Sequence, residues 1–407
     1  MRTYDIILIT IIVINNFMIK EGDIMINTKI KVIIFFGFII TGFLMVNFLF
    51  NPFDNSFEQA TAEKYDVTME NVQEALFSIQ ENSSFWKERL SDQEYEILVE
   101  AGTESPFMNK YYDHQEQGIY ISTAYQQVLF SSEDKFTSGT GWPSFSDVID
   151  HSSIVTRKDT KLPQERTEVL SSRGGEHLGH VFTDGPEPTG LRYCINSEAL
   201  TFLKNAYFAT GCFWCPDALY GSLEGVYFTA TGYTGGEKED PTYRNLGNHA
   251  ETLRISYNPD KITYEELLEV FWENHDSQTA ITSGQYRSEI FFVDEKQAAV
   301  VRNFVERKKE NVSEDINLSL SQLKEFYEAE DYHQKYYLSQ DNRLSQYRED
   351  LLALGEDLTY SRIITKLNAY SQDYLSEEDL ISELETNYLQ AEVPELINEI
   401  KATIVKN

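Results

Sequence analysis

Hydrophobic and polar positions divide this chain into stretches of different periodicity. Residues 32–53 carry no charged side chain and are long enough to cross a membrane as a helix. From about 84 to 203, short apolar runs alternate with glycine-rich turn signals, which predicts a mainly-β domain of short strands. From 204 to about 355, strand-like and helical periods alternate, which favours an α/β layer. Residues 356–407 are acidic and have a helical pattern.

The α/β part has the clearest individual elements. Strands are predicted over 205–209 and 226–233, with a helix over 212–223 between them. A longer helix is predicted over Tyr264–Asn274, whose apolar side chains share one face. In the tail, Ser376 carries a capping pattern that predicts the start of a helix. The patterns together predict an α+β multi-domain protein with an N-terminal transmembrane helix, a mainly-β domain, an α/β domain and a C-terminal helical tail.

The apolar run at 32–53 predicts a single-pass membrane anchor within residues 1–54. Lys29 and Lys31 precede the run, so the positive-inside rule predicts a cytoplasmic N-terminus with the domains outside, at the cell surface. A cleaved signal peptide is the alternative, although the apolar region of such a peptide is typically shorter. Residues 1–24 form a possible upstream extension.

Composition narrows the possible functions. Hydrophobic residues make up 41% of the chain, enough to bury more than one core, which excludes a chain disordered throughout. Lys plus Arg total 34 against 66 Asp plus Glu, a formal net charge of −32, which disfavours a nucleic-acid partner. Residues 55–83 are polar and acidic and predict a stalk between the anchor and the first domain.

The three cysteines, Cys194, Cys212 and Cys215, lie close together in sequence, which indicates chemistry rather than a disulfide scaffold. Pro216 is tolerated in the first turn of a helix and therefore places Cys212 at or near a helix N-terminus. Free backbone N–H groups there stabilise a thiolate and predict a lowered pKa for the Cys212 thiol. Cys215 can close a disulfide with Cys212. Half of a zinc site is the alternative, but the sequence has no second cysteine pair to complete it.

Motifs around this pair continue through the second domain. They are, in order, GCFWC (211–215), GYTGG (232–236), PTYR (241–244), NHAE (248–251), FWENHD (271–276), QYRS (285–288) and AEDYHQKYY (329–337). Together they resemble peptide-methionine sulfoxide reductase A, the family selective for the S-epimer. The resemblance covers residues 204–340.

This resemblance implies roles for individual residues. Cys212 is the nucleophile that attacks the sulfoxide sulfur, and Cys215 is the resolving cysteine. Glu251 is the general acid that protonates the leaving oxygen, because burial in an aromatic pocket raises the pKa of a carboxyl group. The other implied site residues are Tyr243 and Tyr286, which assist the acid, Phe213 and Trp214, which form the methyl pocket, and Asp276, which belongs to the active-site network.

The first domain carries motifs of a second family. They are LSDQEY (90–95), AGTESPF (101–107), TSGTGWPSF (137–145), HLGHVFTDGP (177–186) and RYCINS (192–197). This set resembles peptide-methionine sulfoxide reductase B, which is selective for the R-epimer. The resemblance implies Cys194 as the nucleophile, His180 as the acid and Trp142 as a wall of the methyl pocket. The implied supporting polar contacts are His177, Asp184, Arg192 and Asn196. Without the resemblance, the two histidines are equally a metal pair or structural residues.

Two departures from the second family's pattern affect its chemistry. Many members hold a structural zinc with two Cys-x-x-Cys pairs, whose places are taken here by Ser122 with Tyr125 and Ser171 with Gly174. The sequence therefore predicts a domain without metal. Thr140 stands where the GWPSF segment usually has its resolving cysteine, so internal disulfide recycling is not expected in this domain.

We therefore predict a membrane-anchored fusion of both reductases that repairs oxidised methionine in proteins outside the cytoplasm. The predicted domains span 84–203 and 204–355, with a tail at 356–407. No bound cofactor is expected. The expected partners are oxidised protein substrates, the membrane, and a thioredoxin-like protein or another thiol as reductant. Two other classes remain open, a thiol–disulfide oxidoreductase built on Cys212 and Cys215, and a surface adhesin without catalysis.

Overall fold

The computed structural model describes residues 75–163, 165–275, 283–310 and 316–405. Within these ranges no helix is long and apolar enough to cross a membrane. The longest has 15 residues and carries charged side chains on its exposed face, whereas a membrane span needs about 20 apolar residues. The predicted fold class is corrected accordingly, and the N-terminal transmembrane helix is removed from it. The predicted anchor of residues 1–54 lies outside the described residues.

The first domain begins with two short helices, α1 (Ser83–Arg89) and α2 (Asp92–Leu98). Its strands are β1 (Ile119–Ser122), β2 (Val128–Ser131), β3 (Lys135–Phe136), β4 (Ser144–Phe145), β5 (Ile154–Asp159), β6 (Arg166–Ser171), β7 (His177–Phe182) and β8 (Arg192–Ile195). Strands β3 to β8 form an antiparallel sheet in the order β3–β4–β8–β7–β6–β5. Its centre is the β7–β8 pair, to which the HLGHVF and RYCI motifs contribute their side chains.

A single strand, β9 (Leu200–Thr210), joins the two domains. Residues 200–203 pair with β1 of the first domain, and the following residues pair with strands of the second. The predicted boundary between 203 and 204 therefore falls inside a continuous strand. Because hydrogen bonds run along both halves of β9, the domains share a sheet instead of being joined by a linker.

The second domain alternates strands and helices as predicted, but its strands pair antiparallel except for one parallel pair. Its elements are α3 (Trp214–Ser222), β10 (Val226–Thr234), β11 (Ala250–Tyr257), α4 (Tyr264–Asn274), β12 (Ser288–Phe292), α5 (Glu295–Lys309), β13 (Ser319–Gln322), β14 (Phe326–Glu328) and α6 (Tyr336–Gln340). The sheet runs β13–β12–β9–β11–β10–β14, with β12 and β13 parallel. Helices α4 and α5 cover one face of this sheet and bury its main core, which includes Phe208, Leu268 and Phe304.

The tail forms a helical layer against both domains. Helix α7 (Ser345–Ala353) precedes the tail, whose own helices are α8 (Arg362–Tyr370), α9 (Glu377–Thr386), α10 (Leu389–Glu392) and α11 (Pro394–Val405). The predicted cap at Ser376 is present, since its side chain accepts a hydrogen bond from the Asp379 backbone N–H. Helix α8 lies against α3, and a Cβ added at Gly221 would lie only 3.0 Å from Thr365 Cγ2, so the glycine permits the close approach of the two helices.

Two candidate active sites

Cys212 lies in the turn between β9 and α3. Gly211 has φ +91°, a conformation that favours glycine, and it turns the chain toward the helix. Phe213 is the N-cap of α3, and the Trp214 backbone N–H bonds to the Cys212 thiol. The predicted position near a helix N-terminus is therefore found. The predicted pKa direction is wrong, because burial raises the pKa of the Cys212 thiol, and the hydrogen bond from Trp214 opposes this only in part.

Glu251 lies on β11, directly opposite Tyr233 of β10, and is 2% exposed. The Phe213 backbone N–H donates to Glu251 Oε2 over 3.2 Å, and Gln285 Nε2 donates to Oε1 over 2.5 Å. Burial raises the pKa of Glu251, while these two hydrogen bonds act in the opposite direction. The carboxyl group is thereby held next to the Cys212 turn in an environment that favours its protonated form.

Aromatic side chains surround this pair. Tyr243 and Tyr286 have their hydroxyl oxygens 3.3 Å apart, and the Tyr286 hydroxyl interacts electrostatically with both Glu251 and Cys212. Phe213 is buried, and the Trp214 ring stacks on Tyr336 with centroids 3.7 Å apart. The structure thus brings the predicted residues of the second domain together, apart from Asp276, which lies outside the described residues.

Sequence reasoning missed three residues of this site. Gln285 holds the Glu251 carboxyl, and the only signal was its place beside Tyr286 in the QYRS motif. Arg287 donates to the Asn248 carbonyl over 2.8 Å and so ties the NHAE and QYRS loops together. His333 is buried against Phe213, with ring centroids 5.1 Å apart, and neither ring nitrogen has a partner among the described residues.

The first domain brings its nucleophile and its acid together by strand register. Cys194 on β8 lies directly opposite His180 on β7, and side chains of such a pair point to the same face. His180 Nε2 lies 2.8 Å from Asp159 Oδ2, and Arg166 Nη2 donates to the same oxygen over 2.6 Å. Burial lowers the pKa of His180, and the hydrogen bond with Asp159 opposes this. Asp159 was not among the predicted site residues.

A second histidine–carboxylate pair lies beside the first. His177 Nδ1 is 2.6 Å from Glu168 Oε1, and Arg157 Nε donates to the other carboxylate oxygen over 2.5 Å. These partners hold the pKa of Glu168 at about 2, even though burial acts to raise it. The sequence did not predict Glu168 or Arg157, because they come from β6, which pairs with β7 only in the folded sheet, and from β5, which pairs with β6.

The Cys194 thiol contacts two side chains of the predicted motifs. Arg192 and Thr140 both form hydrogen bonds with it. Arg192 also makes a two-pronged ion pair with Asp184, at 2.9 and 3.0 Å. Burial raises the pKa of the Cys194 thiol, and the Arg192 guanidinium opposes that rise.

Trp142 and Asn196 are held by one backbone segment. Trp142 Nε1 donates to the Glu104 carbonyl over 3.1 Å, and the Glu104 backbone N–H donates to Asn196 Oδ1 over 3.3 Å. The Glu104 carboxylate in turn accepts hydrogen bonds from the Ser197 and Glu198 backbone N–H groups. Glu104 therefore organises this side of the site, a role that its place in the AGTESPF motif alone did not reveal.

Comparison with known families agrees with this geometry. The SelR domain matches residues 90–204, and the peptide methionine sulfoxide reductase family matches residues 204–356. The peptide methionine sulfoxide reductase MsrB of Methanosarcina mazei is 51% identical over 126 residues, which are 31% of this chain and 90% of that protein. The chain belongs to the peptide methionine sulfoxide reductases.

Relatives of the reductases occur with either one or both domains. The MsrA/MsrB protein of Vibrio cholerae is 50% identical over 115 residues, 28% of this chain and 30% of that protein. The solved methionine sulfoxide reductase A of Corynebacterium diphtheriae is 30% identical, covers 34% of this chain and 75% of that chain, and has a TM-score of 0.32. In this chain an MsrB domain precedes an MsrA domain, and the two reduce the R- and S-epimers of methionine sulfoxide.

In the MsrB domain, hydroxyl groups and an aromatic ring occupy the places of the family's zinc cysteines. Ser122 donates a hydrogen bond to the buried Glu176. The Tyr125 ring lies so close to Gly174 that a Cβ there would be 1.9 Å from its Cε2 atom. Ser171 donates to Gln127 Oε1 over 3.0 Å. Hydrogen bonding and ring packing thus connect the loops around Ser122 and Ser171.

Proposed function

We propose that the two domains are independent catalytic sites, in which Cys212 with Glu251 reduces the S-epimer and Cys194 with His180 reduces the R-epimer. The observation that carries the proposal is the contact of the buried Glu251 carboxyl with the Phe213 backbone N–H, one residue after Cys212. Because burial favours the protonated carboxyl, a proton donor lies beside the sulfur nucleophile.

In the MsrA domain the Cys212 thiolate attacks the sulfoxide sulfur while Glu251 gives a proton to the sulfoxide oxygen. The attack forms a bond between the two sulfur atoms as the protonated S–O bond breaks. The released hydroxide then adds to the Cys212 sulfur and the S–S bond breaks, so methionine leaves as a thioether and Cys212 becomes a sulfenic acid. The adjacent hydroxyls of Tyr243 and Tyr286 donate to the same oxygen. Phe213 and Trp214 offer apolar surface to the methyl group.

In the MsrB domain the same reaction uses Cys194 as the nucleophile and His180 as the acid. Asp159 fixes the His180 ring and stabilises its cation, which offsets the effect of burial. The Arg192 guanidinium stabilises the Cys194 thiolate. Trp142 forms the methyl pocket, while His177, Asp184 and Asn196 act as supporting polar contacts.

The two sites differ in how they are returned to the thiol form. The Cys212 sulfenic acid condenses with Cys215 to a disulfide, which a thioredoxin-like protein reduces by thiol exchange. Both cysteines are exposed, as such an exchange requires. Thr140, beside Cys194, has no thiol to offer, so an external thiol reduces the Cys194 sulfenic acid directly.

The test uses the full chain with each epimer of a methionine sulfoxide peptide. Cys212→Ser abolishes S-epimer reduction and leaves R-epimer reduction intact, and Cys194→Ser does the reverse. Cys215→Ser is the matched control, because it retains one turnover of the S-epimer and loses only recycling by thioredoxin. Loss of both activities from either nucleophile substitution contradicts independent sites, and reduction of disulfides without methionine formation identifies a thiol–disulfide oxidoreductase instead.

A further inference from the structure

Cys215 has a close polar neighbour, the hydroxyl group of Tyr337. The Tyr337 oxygen lies 2.9 Å from Cys215 Sγ. Tyr337 comes from the end of the AEDYHQKYY motif, at the start of α6, and is 122 residues away in sequence. The catalytic roles described for the MsrA domain do not include it. The contact joins the resolving cysteine to a side chain that can donate a hydrogen bond.

The residues before Tyr337 fix its position against α3. Lys335 has φ +51°, and its buried ammonium group donates to Asp217 Oδ1 over 3.1 Å and to the Thr229 carbonyl over 2.6 Å. Tyr336 stacks on Trp214 with an angle of 5° between the rings. Three consecutive residues of this segment therefore contact three residues of the first turn of α3, in the order Asp217, Trp214 and Cys215.

The residue after Tyr337 is also held. The Leu338 backbone N–H donates to Asn368 Oδ1 over 3.0 Å, and Asn368 Nδ2 donates to Asp217 Oδ2 over 3.2 Å. The Tyr337 hydroxyl is thus carried by a segment anchored on both sides. The hydrogen bonds on both sides of Tyr337 support the position of its hydroxyl beside Cys215.

The surroundings of Tyr337 keep its hydroxyl protonated. Burial raises the pKa of Tyr337, and the neighbouring Cys215 raises it further. The titratable groups that face it are Cys215 and Cys212 from the start of α3 and Tyr374 from the turn after α8. The pKa of Tyr337 therefore lies above its usual range, and its hydroxyl keeps a proton to donate to sulfur at neutral pH.

We propose that Tyr337 is a positioning residue for the resolving step, and that its hydroxyl donates a hydrogen bond to the Cys215 thiolate and aims it at Cys212. The inference rests on the proposed function, which supplies the Cys212 sulfenic acid. In the step, the Cys215 thiolate attacks the Cys212 sulfur, the S–S bond forms and the S–OH bond breaks. The departing hydroxide takes one proton and leaves as water, so no oxidant beyond the sulfenic acid is required.

The experiment measures both steps in one reaction. The full chain with Cys194→Ser, which silences the MsrB site, is reduced, freed of reductant and mixed with excess S-epimer peptide. Samples are quenched over time, and methionine, the Cys212–Cys215 disulfide and the dimedone adduct of Cys212 are quantified. In Tyr337→Phe, we expect the methionine burst at its normal rate, disulfide formation slowed by about 10- to 100-fold, and accumulation of the dimedone adduct, since a hydrogen bond to a charged group is lost.

The two readouts separate the hydrogen-bonding role of Tyr337 from simple packing. Loss of the hydroxyl is expected to slow disulfide formation alone, because its contact is with Cys215. A packing defect at the start of α3 also displaces Cys212 and slows the methionine burst, and that result overturns the proposal.

Tyr347→Phe is the matched control. Its hydroxyl bonds to Glu399 and Thr403 within the tail, so the same substitution there is expected to leave disulfide formation unchanged. Equal disulfide rates in Tyr337→Phe and in the parent chain overturn the inference while leaving the proposed function intact. Absence of the methionine burst in the parent chain overturns the proposed function itself, and the inference with it. Tyr337 is only half-buried and the substitution removes one oxygen atom, so the variant is expected to fold.

Discussion

At the scale of single residues, the MsrA site pairs a thiol and a carboxyl group whose pKa values are both raised by burial. The reactive form has a Cys212 thiolate beside a protonated Glu251 carboxyl. In this form the two groups carry one proton between them. The share of this one-proton state rises with pH while Glu251 ionises, stays level until Cys212 begins to ionise, and falls as Cys212 also loses its proton. We expect single-turnover reduction of the S-epimer to follow this bell-shaped course, measured as methionine formed.

Glu251→Gln tests which group sets the acidic limb. The amide still accepts the hydrogen bond from Phe213 but cannot protonate the sulfoxide oxygen. We expect the rate to fall by about 10²–10⁴-fold. The remaining rate is expected to rise with pH until Cys212 is ionised, without the level region seen in the parent chain. R-epimer reduction by the same protein serves as the control. An unchanged profile in Glu251→Gln contradicts the role of Glu251 as the acid.

In the MsrB domain, Thr140→Cys is expected to install an internal recycling partner. The Thr140 hydroxyl already bonds to the Cys194 thiol, so a sulfur atom there lies within reach of the sulfenic acid. After one equivalent of the R-epimer without reductant, the unaltered chain gives a dimedone adduct on Cys194, whereas the peptide map of the variant shows a disulfide between the introduced thiol and Cys194. Ser138→Cys, at a residue that contacts Thr140, is the matched control. A Cys194–Cys215 disulfide in the unaltered chain contradicts the prediction.

Residues that lie in one motif were accessible from the sequence, and residues supplied by sheet pairing were not. Cys212 and Glu251 each stood out within a recognisable motif, and the structure brings them together. Asp159 holds His180, but it comes from β5, two strands away from β7, and nothing in its local sequence indicates that contact. The pKa of Cys212 was mispredicted for a related reason, since helix position is a local property and burial is not.

At the scale of elements, the first turn of α3 depends on a buried ion pair. Lys335 and Asp217 have no exposed side-chain surface, and burial lowers the pKa of the Lys335 ammonium group. Lys335→Met leaves the Asp217 carboxylate buried without its cation, and we expect a loss of about 3–5 kcal/mol in the free energy of unfolding, measured by urea denaturation. Adding Asp217→Asn removes the charge and is expected to recover much of the loss. Equal stability of both variants contradicts a charge effect.

Predicted elements matched the structure best where the end signals are local. Helix α4 has the predicted bounds, because Thr263 and Glu266 form a capping box at its start. The strand predicted over 205–209 is observed as the much longer β9, since its first residues are recruited by β1 of the other domain. Pairing with a distant strand leaves no trace in the alternation of polar and apolar positions.

At the scale of the whole molecule, the tail contacts both catalytic domains. On the MsrA side, α8 lies against α3, and Lys366 Nζ donates to the Leu223 carbonyl over 2.9 Å. On the MsrB side, Arg173 donates to the Tyr388 hydroxyl over 2.8 Å and pairs with Glu356 at 3.0 Å. The Tyr125 hydroxyl donates to Glu392 over 2.6 Å. The tail therefore contacts the MsrB domain at the loops that carry Tyr125 and Arg173.

Because β9 and the tail both connect the domains, we expect the full chain to unfold in one calorimetric transition. Tyr388→Ala removes a ring that is 3% exposed and lies 5.1 Å from the Tyr125 ring, which deletes a buried aromatic contact between the tail and the MsrB domain. The expected loss is about 3–5 kcal/mol, as for other buried aromatic residues. The contacts of α8 with α3 are untouched, so the MsrB domain is expected to unfold first. Heating should then abolish R-epimer reduction at a lower temperature than S-epimer reduction.

Tyr347→Ala is the control, because the Tyr347 hydroxyl bonds to Glu399 and Thr403 of the tail. This substitution should lower the temperature at which both activities are lost by the same amount. If Tyr388→Ala also loses both activities at one temperature, the contact of the tail with the MsrB domain does not stabilise that domain independently of the MsrA domain.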